Sequence, residues 1–296
     1  MQGQLRFNEP LTPYSSWRVG GAAERYFCPQ NIQQLSDFLQ SLPAHEPLLW
    51  LGLASNVLIR DGGIPGTVIH LLPQAGLNGL QYDAEQNWIR AEAGVAAAKF
   101  SRFCAKNNFS GGEFFSGIPG TIGGALAMNA GAFGAETWDF VVQLETMDRW
   151  GQRRLRLPAD YQVAYREVLG PKEEWFLAGY FHFPPVVEDI PSTQTSRIKA
   201  LLKQRSASQP IGVYSGGSVF KNPPGDFAGR LIEASNLKGF AIGGARVSEK
   251  HANFIINEDQ AKAQDIEEII DYVREQVWQQ QQVQLQLEVR VLGLSD

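Results

Sequence analysis

The stretch GGEFFSGIPGTIGGALAMNAGAFG, residues 111–134, decides the fold of this chain. It contains eight of the thirty glycines in the sequence and one charged side chain, Glu113. An ordinary helix is not expected here, because each interior glycine costs about 1 kcal/mol relative to alanine. A linker is not expected either, because linkers are usually polar and this stretch is rich in apolar residues. The composition predicts a backbone that lies close to a bulky partner.

A second glycine loop, GLASN (52–56), separates the apolar runs LLWL and VLI, so we predict a strand, a tight loop and a strand. Both loops could present backbone N–H groups to phosphate oxygens. Neither is a Walker A motif or a GxGxxG motif, and simple structural turns remain the alternative. The longer loop, with Asn129 in its middle, would suit a large, flat, apolar cofactor that carries a pyrophosphate.

Hydrophobic spacing predicts the other elements. Asn31 is a suitable N-cap for a helix, and apolar residues at helical spacing continue after it. Further helices are expected at about 96–106 and 194–205. Near the C-terminus an amphipathic helix is expected, followed by a strand over 283–291 in which apolar and polar residues alternate. The helix carries Ile266, Ile269, Ile270, Val273 and Val277 on one face.

Composition excludes several classes of protein. The formal net charge of -5 gives no basic surface for nucleic acid. The N-terminus has no apolar region typical of a signal peptide, and no apolar run is long enough to span a membrane. Cys28 and Cys104 lie far apart and are expected to be reduced structural thiols. The four histidines are scattered without ligand spacing, so no metal site is expected.

The proline-rich segment FPPVVEDIPST (183–193) predicts a junction between two domains, residues 1–187 and 188–296.

Three residues could carry chemistry. Ser218 lies in GGSVFKNP (216–223), where Lys221 and Asn222 add a cation and an amide. The motif is not GxSxG and no histidine accompanies it, so a hydrolase triad is not supported. Arg166 in AYRE and Glu288 in LEVRV complete the set. Taken one at a time, the default interpretation is a turn hydroxyl for Ser218, a surface charge for Arg166 and a solvent-facing side chain for Glu288.

Together the motifs resemble those of the UDP-N-acetylenolpyruvoylglucosamine reductase family. The similar stretches occur in order along essentially the whole chain, and GSVFKNP and SEKHANF are the most specific. They are WRVGG (17–21), LGLASNVLIRDGG (51–63), AGV (93–95), SGIPGTIGGALAMNAGAFG (116–134), AYR (164–166), SGGSVFKNPPGDFAGRLIE (215–233), LKGFAIGGARVSEKHANFIIN (237–257) and LEVRVLG (287–293).

The resemblance implies an α+β fold. Two small α/β subdomains form an N-terminal FAD-binding region of the PCMH type, and a C-terminal α/β domain binds substrate. It also implies non-covalent FAD, with NADPH as the hydride donor. The expected cofactor-binding residues lie in the two glycine loops: Gly52, Ala54, Ser55, Asn56, Ser116, Gly117, Pro119, Gly120, Thr121, Gly123, Gly124, Asn129 and Gly131.

The same resemblance implies the site residues and the setting. Ser218 would be the proton donor, and Arg166 and Glu288 would handle the substrate carboxylate. The expected substrate-binding residues are Lys221, Asn222, Arg205 and His251. The resemblance further implies that the substrate is a small sugar nucleotide, a precursor of peptidoglycan. We expect a cytoplasmic monomer with no nucleic-acid or membrane partner and no metal.

The chain departs from the family pattern at a few positions. Ala54 stands where a further glycine is common, and Val168 where a serine is usual. RSASQP (205–210) lacks a basic residue often found just before its proline. An insertion that carries a tyrosine loop in longer members has no counterpart here, so the chain resembles the shorter subtype.

Two other functions remain open from the sequence. One is an oxidase on the same FAD scaffold, although oxidases of this kind often tether flavin through His or Cys and neither glycine loop contains a histidine. The other is a nucleotide-sugar binding protein that has lost its flavin.

Overall fold

The computed structural model describes residues 3–184 and 191–296. Strands alternate with short helices along most of the chain. The strands are β1 Gln4–Pro10, β2 Ala22–Cys28, β3 Leu48–Leu51, β4 Val57–Ile59, β5 Ile64–His70, β6 Leu80–Asp83, β7 Trp88–Glu92, β8 Gly131–Ala132, β9 Ala135–Glu136, β10 Val141–Asp148, β11 Arg153–Arg156, β12 Gln162–Ala164, β13 Glu167–Leu169, β14 Glu174–Phe181, β15 Tyr214–Ser215, β16 Ala241–Ile242, β17 Ala245–Val247, β18 Ile255–Asn257 and β19 Arg290–Leu292.

The α-helices are fewer and mostly short. They are α1 Ile32–Ser41, α2 Ala97–Lys106, α3 Ile122–Met128, α4 Pro191–Ser208, α5 Ala228–Ala234 and α6 Ala263–Gln281. Single 3-10 turns cover Glu113–Gly117, Thr137–Asp139 and Pro158–Asp160.

Several elements confirm the sequence predictions. The Asn31 side chain accepts a 2.9 Å hydrogen bond from the Gln34 N–H and so caps α1. The GLASN loop lies between β3 and β4, and α2 and α4 cover the two other predicted helices. All five apolar positions of the amphipathic helix are buried on α6. Local periodicity was therefore a sufficient signal for these elements.

The chain forms two compact units, each built from several segments. Unit 1 comprises Met1–Leu5, Tyr26–Leu53 and Val68–Arg205, and unit 2 comprises Arg6–Arg25, Ala54–Thr67 and Ser206–Asp296. A four-stranded sheet has the order β1-β2-β5-β3. The predicted junction at 187/188 lies outside the described residues.

Unit 1 is organised around an antiparallel sheet with the order β11-β10-β14-β7-β6. Its helices α2 and α3 contribute to an apolar core that is rich in phenylalanine. That core includes Phe100, Phe115, Phe181, Phe183, Ile122 and Leu126. A second core lies around α1 and includes Leu35, Leu39, Ile69 and Leu177.

Unit 2 contains an antiparallel sheet with the order β15-β18-β17-β16, and β19 pairs in parallel with β4. The buried face of α6 packs in a core with Trp17, Val219 and Leu231. The Asp61 carboxylate accepts hydrogen bonds of 3.0 Å from the N–H groups of Ala263 and Gln264, the first residues of α6. This cap satisfies helix donors that have no partner within the helix, and it ties the segment after the GLASN loop to unit 2.

The prediction that residues 111–134 exclude an ordinary helix is wrong in part, because α3 lies inside this stretch. A Cβ atom at Gly123 would lie 2.9 Å from the Cβ of Ala93. The glycine is needed for close packing of α3, and that contact outweighs its poor helix propensity.

The prediction of a strand over 283–291 is also wrong in part. Only β19 forms a ladder, together with a single bridge between Leu287 and Phe220. The alternation in burial is confirmed, since Leu285 and Val289 are buried while Gln284 and Gln286 are exposed. Alternation reports which side chains are buried, and it does not specify a strand partner.

Cys28 and Cys104 are both buried and form no disulfide with each other, as predicted, and burial raises the pKa of the Cys104 thiol. Among the described residues, no helix has the length and apolar character needed to cross a membrane. No group of three or more potential metal ligands occurs in the described part of the chain.

Candidate active site

Gly52, the first residue of the GLASN loop, lies next to Thr121 of the longer glycine loop, and both residues belong to unit 1. A Cβ atom at Gly52 would lie 2.3 Å from the Oγ1 of Thr121, so no other residue fits at position 52. The same Oγ1 accepts a 3.4 Å hydrogen bond from the Gly124 N–H and caps the first turn of α3. The backbone of the first loop therefore lies directly against the start of α3.

His70 supports Gly52 from the protein interior, a role that the scattered histidines gave no signal to predict. Its Nε2 lies 2.7 Å from the Gly52 carbonyl oxygen, and its Nδ1 lies 2.9 Å from the Tyr26 hydroxyl. The ring is fully buried. Burial lowers the pKa of His70 to about 4, against the opposing effect of the Gly52 hydrogen bond. His70 is therefore neutral at physiological pH.

The polar side chains of the longer loop hold the loop itself together. The Ser116 hydroxyl donates a 2.7 Å hydrogen bond to the Glu113 carbonyl oxygen. Asn129 donates from Nδ2 to the Glu136 carboxylate at 2.7 Å, and its Oδ1 accepts from the Trp138 N–H at 3.2 Å. Asn129 ends α3 with a left-handed backbone, at a φ of 41°. These bonds fix the shape of the loop.

The loops fit the anionic, partly flat cofactor that the resemblance implies. Residues 52–56 and 116–134 contain no acidic side chain, so a pyrophosphate would meet no like charge from them. At Gly117 a Cβ atom would lie 2.5 Å from the Phe133 ring, so glycine is needed for the backbone to pass beside that ring. Close backbone approach and an absence of negative charge are what a phosphate-binding loop requires.

Ala54 has a left-handed backbone at a φ of 45° and is buried. Glycine adopts this conformation without strain, whereas alanine does so at a cost. This strain is a physical reason for the glycine that the family resemblance implies at this position. Ser55 and Asn56 follow it, and all three residues belong to unit 2.

Arg166 lies at the tip of the β12–β13 hairpin in unit 1, in a two-residue turn between Ala164 and Glu167. Its guanidinium donates to the carbonyl oxygens of Asn129 at 3.3 Å and Gly131 at 3.0 Å. The guanidinium therefore donates hydrogen bonds to two backbone carbonyl oxygens of the longer glycine loop. Both residues that it contacts were predicted to bind the cofactor.

The backbone of Arg166 is left-handed, with a φ of 57°. A long side chain in this conformation costs about 1–3 kcal/mol, and such residues cluster at functional sites. The Glu136 carboxylate lies 3.8 Å from one guanidinium nitrogen. The guanidinium also lies over the Tyr165 ring, 4.8 Å from its centre. These contacts hold the charge of Arg166 in one place.

Ser218 and Glu288 come together in unit 2. The Glu288 N–H donates a 2.8 Å hydrogen bond to the carbonyl oxygen of Val219, the residue after Ser218. Asn56 donates from Nδ2 to the Glu288 carbonyl oxygen at 3.1 Å. A Cβ atom at Gly217, next to Ser218, would have no neighbour within 4 Å. The serine therefore follows an open glycine turn, and Glu288 is hydrogen-bonded both to the residue after the serine and to Asn56 of the GLASN loop.

Asn253 and Trp17 hold this turn in place, and sequence reasoning assigned a role to neither. Asn253 is buried and binds both backbone groups of Phe220, accepting from the N–H at 2.9 Å and donating to the carbonyl at 2.8 Å. Trp17 is fully buried, and a Cβ atom at Gly216 would overlap its indole ring. Both residues lie in motifs that carry the family resemblance, which was the available signal for them.

The predicted substrate-binding residues have varied surroundings. Asn222 is exposed, and its Oδ1 accepts a 3.1 Å hydrogen bond from the Ala228 N–H, which caps α5. Lys221 is half-buried, and its N–H donates to the Gln286 carbonyl oxygen at 2.8 Å. The Nδ1 of His251 accepts a 3.3 Å bond from the Asn253 N–H, and burial lowers the pKa of His251. Burial also lowers the pKa of Arg205, on α4.

The structure thus groups Ser218 with Glu288 in unit 2 and places Arg166 with the longer glycine loop in unit 1. Pro119, Gly120 and Gly131 lie on that same loop.

Two family models match the chain. A model of an FAD binding domain matches residues 23–155, and a model of the C-terminal domain of UDP-N-acetylenolpyruvoylglucosamine reductase matches residues 209–292. The predicted fold class, with an FAD-binding region followed by a second α/β domain, is confirmed.

Similar proteins cover the whole chain. A UDP-N-acetylenolpyruvoylglucosamine reductase from Coxiella burnetii is 50% identical and is aligned over 100% of this chain and 98% of its own length. One from Alkalilimnicola ehrlichii is 53% identical over 98% of this chain and 95% of its own length. The crystal structure of the reductase from Thermus caldophilus is 30% identical, with a TM-score of 0.80 over 99% of this chain and 100% of that one. The chain therefore belongs to the UDP-N-acetylenolpyruvoylglucosamine reductase family.

Proposed function

We propose that this chain catalyses the NADPH-dependent, FAD-mediated reduction of the enolpyruvyl group of UDP-N-acetylenolpyruvoylglucosamine to give UDP-N-acetylmuramate. Relatives that are 50–53% identical carry the name of this reductase. The observation that supports the proposal is the 2.8 Å hydrogen bond from the Glu288 N–H to the Val219 carbonyl oxygen, because it joins the segment of Glu288 to the residue that follows Ser218, the proposed proton donor.

The matched regions support a division of the chain into two domains. Residues 1–187 would form the FAD-binding domain and residues 188–296 the substrate-binding domain, in agreement with matches at 23–155 and 209–292. The FAD would be held without a covalent bond by the two glycine loops. Its pyrophosphate would be bound by backbone N–H groups. When bound, FAD supplies the hydride chemistry, taking hydride from NADPH and delivering it to the methylene carbon of the enolpyruvyl group.

Arg166 and Glu288 are assigned to the substrate carboxylate. Hydride addition leaves negative charge on the neighbouring carbon and on this carboxylate. A guanidinium held in one orientation stabilises such charge without reorganising, and removal of one donor of this kind typically lowers the rate about 10²–10³-fold. Glu288 would add a hydrogen bond to the same group.

Ser218 is assigned as the proton donor. Its hydroxyl would transfer a proton to the carbon that becomes the new stereocentre, and such proton transfer typically contributes about 10²–10⁴-fold. A Cβ atom at the preceding Gly217 would have no neighbour within 4 Å, so the turn before Ser218 is open.

Lys221, Arg205 and His251 would contact the nucleotide part of the substrate, together with Asn222. Lys221 and Arg205 are cations, which suits the diphosphate. We propose that the enzyme acts in the cytoplasm as a monomer, in the synthesis of peptidoglycan precursors.

The test is a spectrophotometric assay of NADPH oxidation by the purified chain. We expect oxidation that depends on UDP-N-acetylenolpyruvoylglucosamine and does not depend on oxygen. Oxygen consumption without that substrate would support an oxidase instead. Colourless protein that releases no flavin on denaturation would support a binding protein that lacks the cofactor.

A further inference from the structure

Tyr26, His70 and Gly52 form a buried chain of hydrogen bonds in unit 1. The Tyr26 hydroxyl lies 2.9 Å from Nδ1 of His70, and Nε2 of His70 lies 2.7 Å from the Gly52 carbonyl oxygen. The Tyr26 and His70 rings meet edge to face, with centres 5.5 Å apart and planes at 89°. Two hydrogen bonds and a ring contact therefore fix the orientation of the imidazole.

The direction of each hydrogen bond follows from the chemistry of the partners. A carbonyl oxygen only accepts, so Nε2 of His70 carries the proton that it donates to Gly52. In a neutral imidazole the other nitrogen is then an acceptor, so the Tyr26 hydroxyl donates to Nδ1. His70 is therefore held in the tautomer with its proton on Nε2, accepting from the Tyr26 hydroxyl and donating to the Gly52 carbonyl oxygen.

The bond to Gly52 also determines where the next N–H points. The peptide bond between Gly52 and Leu53 is planar and trans, so its N–H is directed opposite to its C=O. Because the carbonyl faces His70, the Leu53 N–H faces away from His70. The position of Gly52 itself is limited by Thr121, which leaves no room for a Cβ atom.

We propose that His70, oriented by Tyr26, is a positioning residue that turns the Gly52–Leu53 peptide so that its N–H faces the pyrophosphate of FAD. This rests on the proposed function, in which the GLASN loop holds that group. A flexible glycine loop would otherwise have to be ordered when the cofactor binds, and that ordering would weaken binding. Because His70 orders the loop when the chain folds, the free-energy cost of ordering it does not weaken FAD binding.

The test compares four variants of the full chain purified with its flavin. The dissociation constant for FAD is obtained from free-flavin fluorescence over a dilution series. His70→Leu removes both bonds, and His70→Gln offers an amide with one donor and one acceptor. Tyr26→Phe removes only the hydroxyl. Ile69→Val is the matched control, since Ile69 is a buried neighbour whose truncation costs about 0.5–1.5 kcal/mol without touching the hydrogen-bond chain.

We expect FAD to bind about 10–100-fold more weakly in His70→Leu and about 3–10-fold more weakly in Tyr26→Phe, in line with the loss of buried hydrogen bonds. Binding in His70→Gln should stay close to that of the wild type, and Ile69→Val should be unchanged. Nitrogen chemical shifts of His70 in the wild type should show a proton on Nε2, a readout that stands even if His70→Leu does not fold.

The inference is overturned if His70→Leu or Tyr26→Phe binds FAD as tightly as the wild type. It is also overturned if Ile69→Val weakens binding as much as Tyr26→Phe, because the effect would then follow stability alone, or if His70 carries its proton on Nδ1. A wild-type protein that binds no FAD would instead overturn the proposed function, and this inference with it.

Discussion

The N–H of Glu288 donates a hydrogen bond to the carbonyl oxygen of Val219 at 2.8 Å. The N–H of Lys221 donates to the carbonyl of Gln286 at the same distance, so two rungs join the segment after Ser218 to the segment before β19. Val219 is fully buried. The serine and the glutamate therefore keep a fixed relationship as long as this part of unit 2 is folded.

Glu288→Gln should lower turnover at least tenfold, because the side chain keeps its size but loses the carboxyl group assigned to the substrate. The dissociation constant for FAD should change less than threefold, since the glycine loops are unaltered. Steady-state assays and flavin titration measure the two effects. Gln286→Ala, at an exposed position on the same segment, is the control. Wild-type turnover in Glu288→Gln would remove this residue from the mechanism.

Arg166→Lys should lower kcat/KM about 10–100-fold. Lysine keeps the charge but lacks the planar guanidinium that donates to the carbonyl oxygens of Asn129 and Gly131 at the same time. The control is Arg154→Lys, on the edge strand β11, where activity should be unchanged. Equal activity of the Arg166→Lys variant and the wild type would show that only charge is needed at the hairpin tip.

Stability should fall as the pH drops from about 6.5 to about 4. Burial lowers the pKa of folded His70 to about 4, whereas the unfolded residue titrates near 6.5. In this window the unfolded chain binds a proton that the folded chain does not, so stability rises with pH and is lost on acidification. The full loss is about 3 kcal/mol.

Urea unfolding at pH 7.5 and pH 5.0 measures this effect as the difference between the wild type and His70→Gln. The difference also removes the contribution of other titrating groups, including His251. The variant should lose about 2 kcal/mol less than the wild type between the two pH values. If the wild type and His70→Gln lose the same free energy of unfolding between the two pH values, His70 is protonated without cost in the folded chain.

Arg90→Met should destabilise the chain by about 3 kcal/mol, because it leaves a buried carboxylate short of its main partner. Arg90 binds both oxygens of Glu145 at 2.6 Å and 3.0 Å, and Tyr180 donates to the same carboxylate. Burial raises the pKa of Glu145, but these hydrogen bonds outweigh it and lower the pKa to about 2.

The matched control is Arg230→Met, which breaks an exposed pair with Asp226 and should leave the free energy of unfolding nearly unchanged. Equal costs for the two variants in urea unfolding would show that burial adds nothing to the pair of Arg90 and Glu145.

Local patterns predicted the elements whose determinants are local. The spacing of apolar residues on α6 and the N-cap Asn31 each specify structure within a few residues. The prediction of a strand over 283–291 is wrong in part, because a strand needs a hydrogen-bonded partner and the alternation of apolar and polar residues does not specify one.

Long-range features could not be predicted in this way. Asp61 caps α6 from 202 residues away, and His70 binds a glycine 18 residues before it across a fold that the sequence does not display. Motifs in the sequence indicate the candidate site. The residues that position it, such as His70 and Asn253, are identified only by their hydrogen bonds in the folded chain. No sequence motif marks the role of these side chains, and that role is defined by their hydrogen-bond partners in the fold.

The central claim is that Ser218 protonates a substrate that has already received hydride. The most direct measurement follows the two half-reactions of Ser218→Ala by rapid mixing, with Ser215→Ala as the control. We predict that NADPH bleaches the flavin of Ser218→Ala at the wild-type rate, whereas product formation from the enolpyruvyl substrate falls at least a hundredfold. Product formation at the wild-type rate in Ser218→Ala would contradict the account.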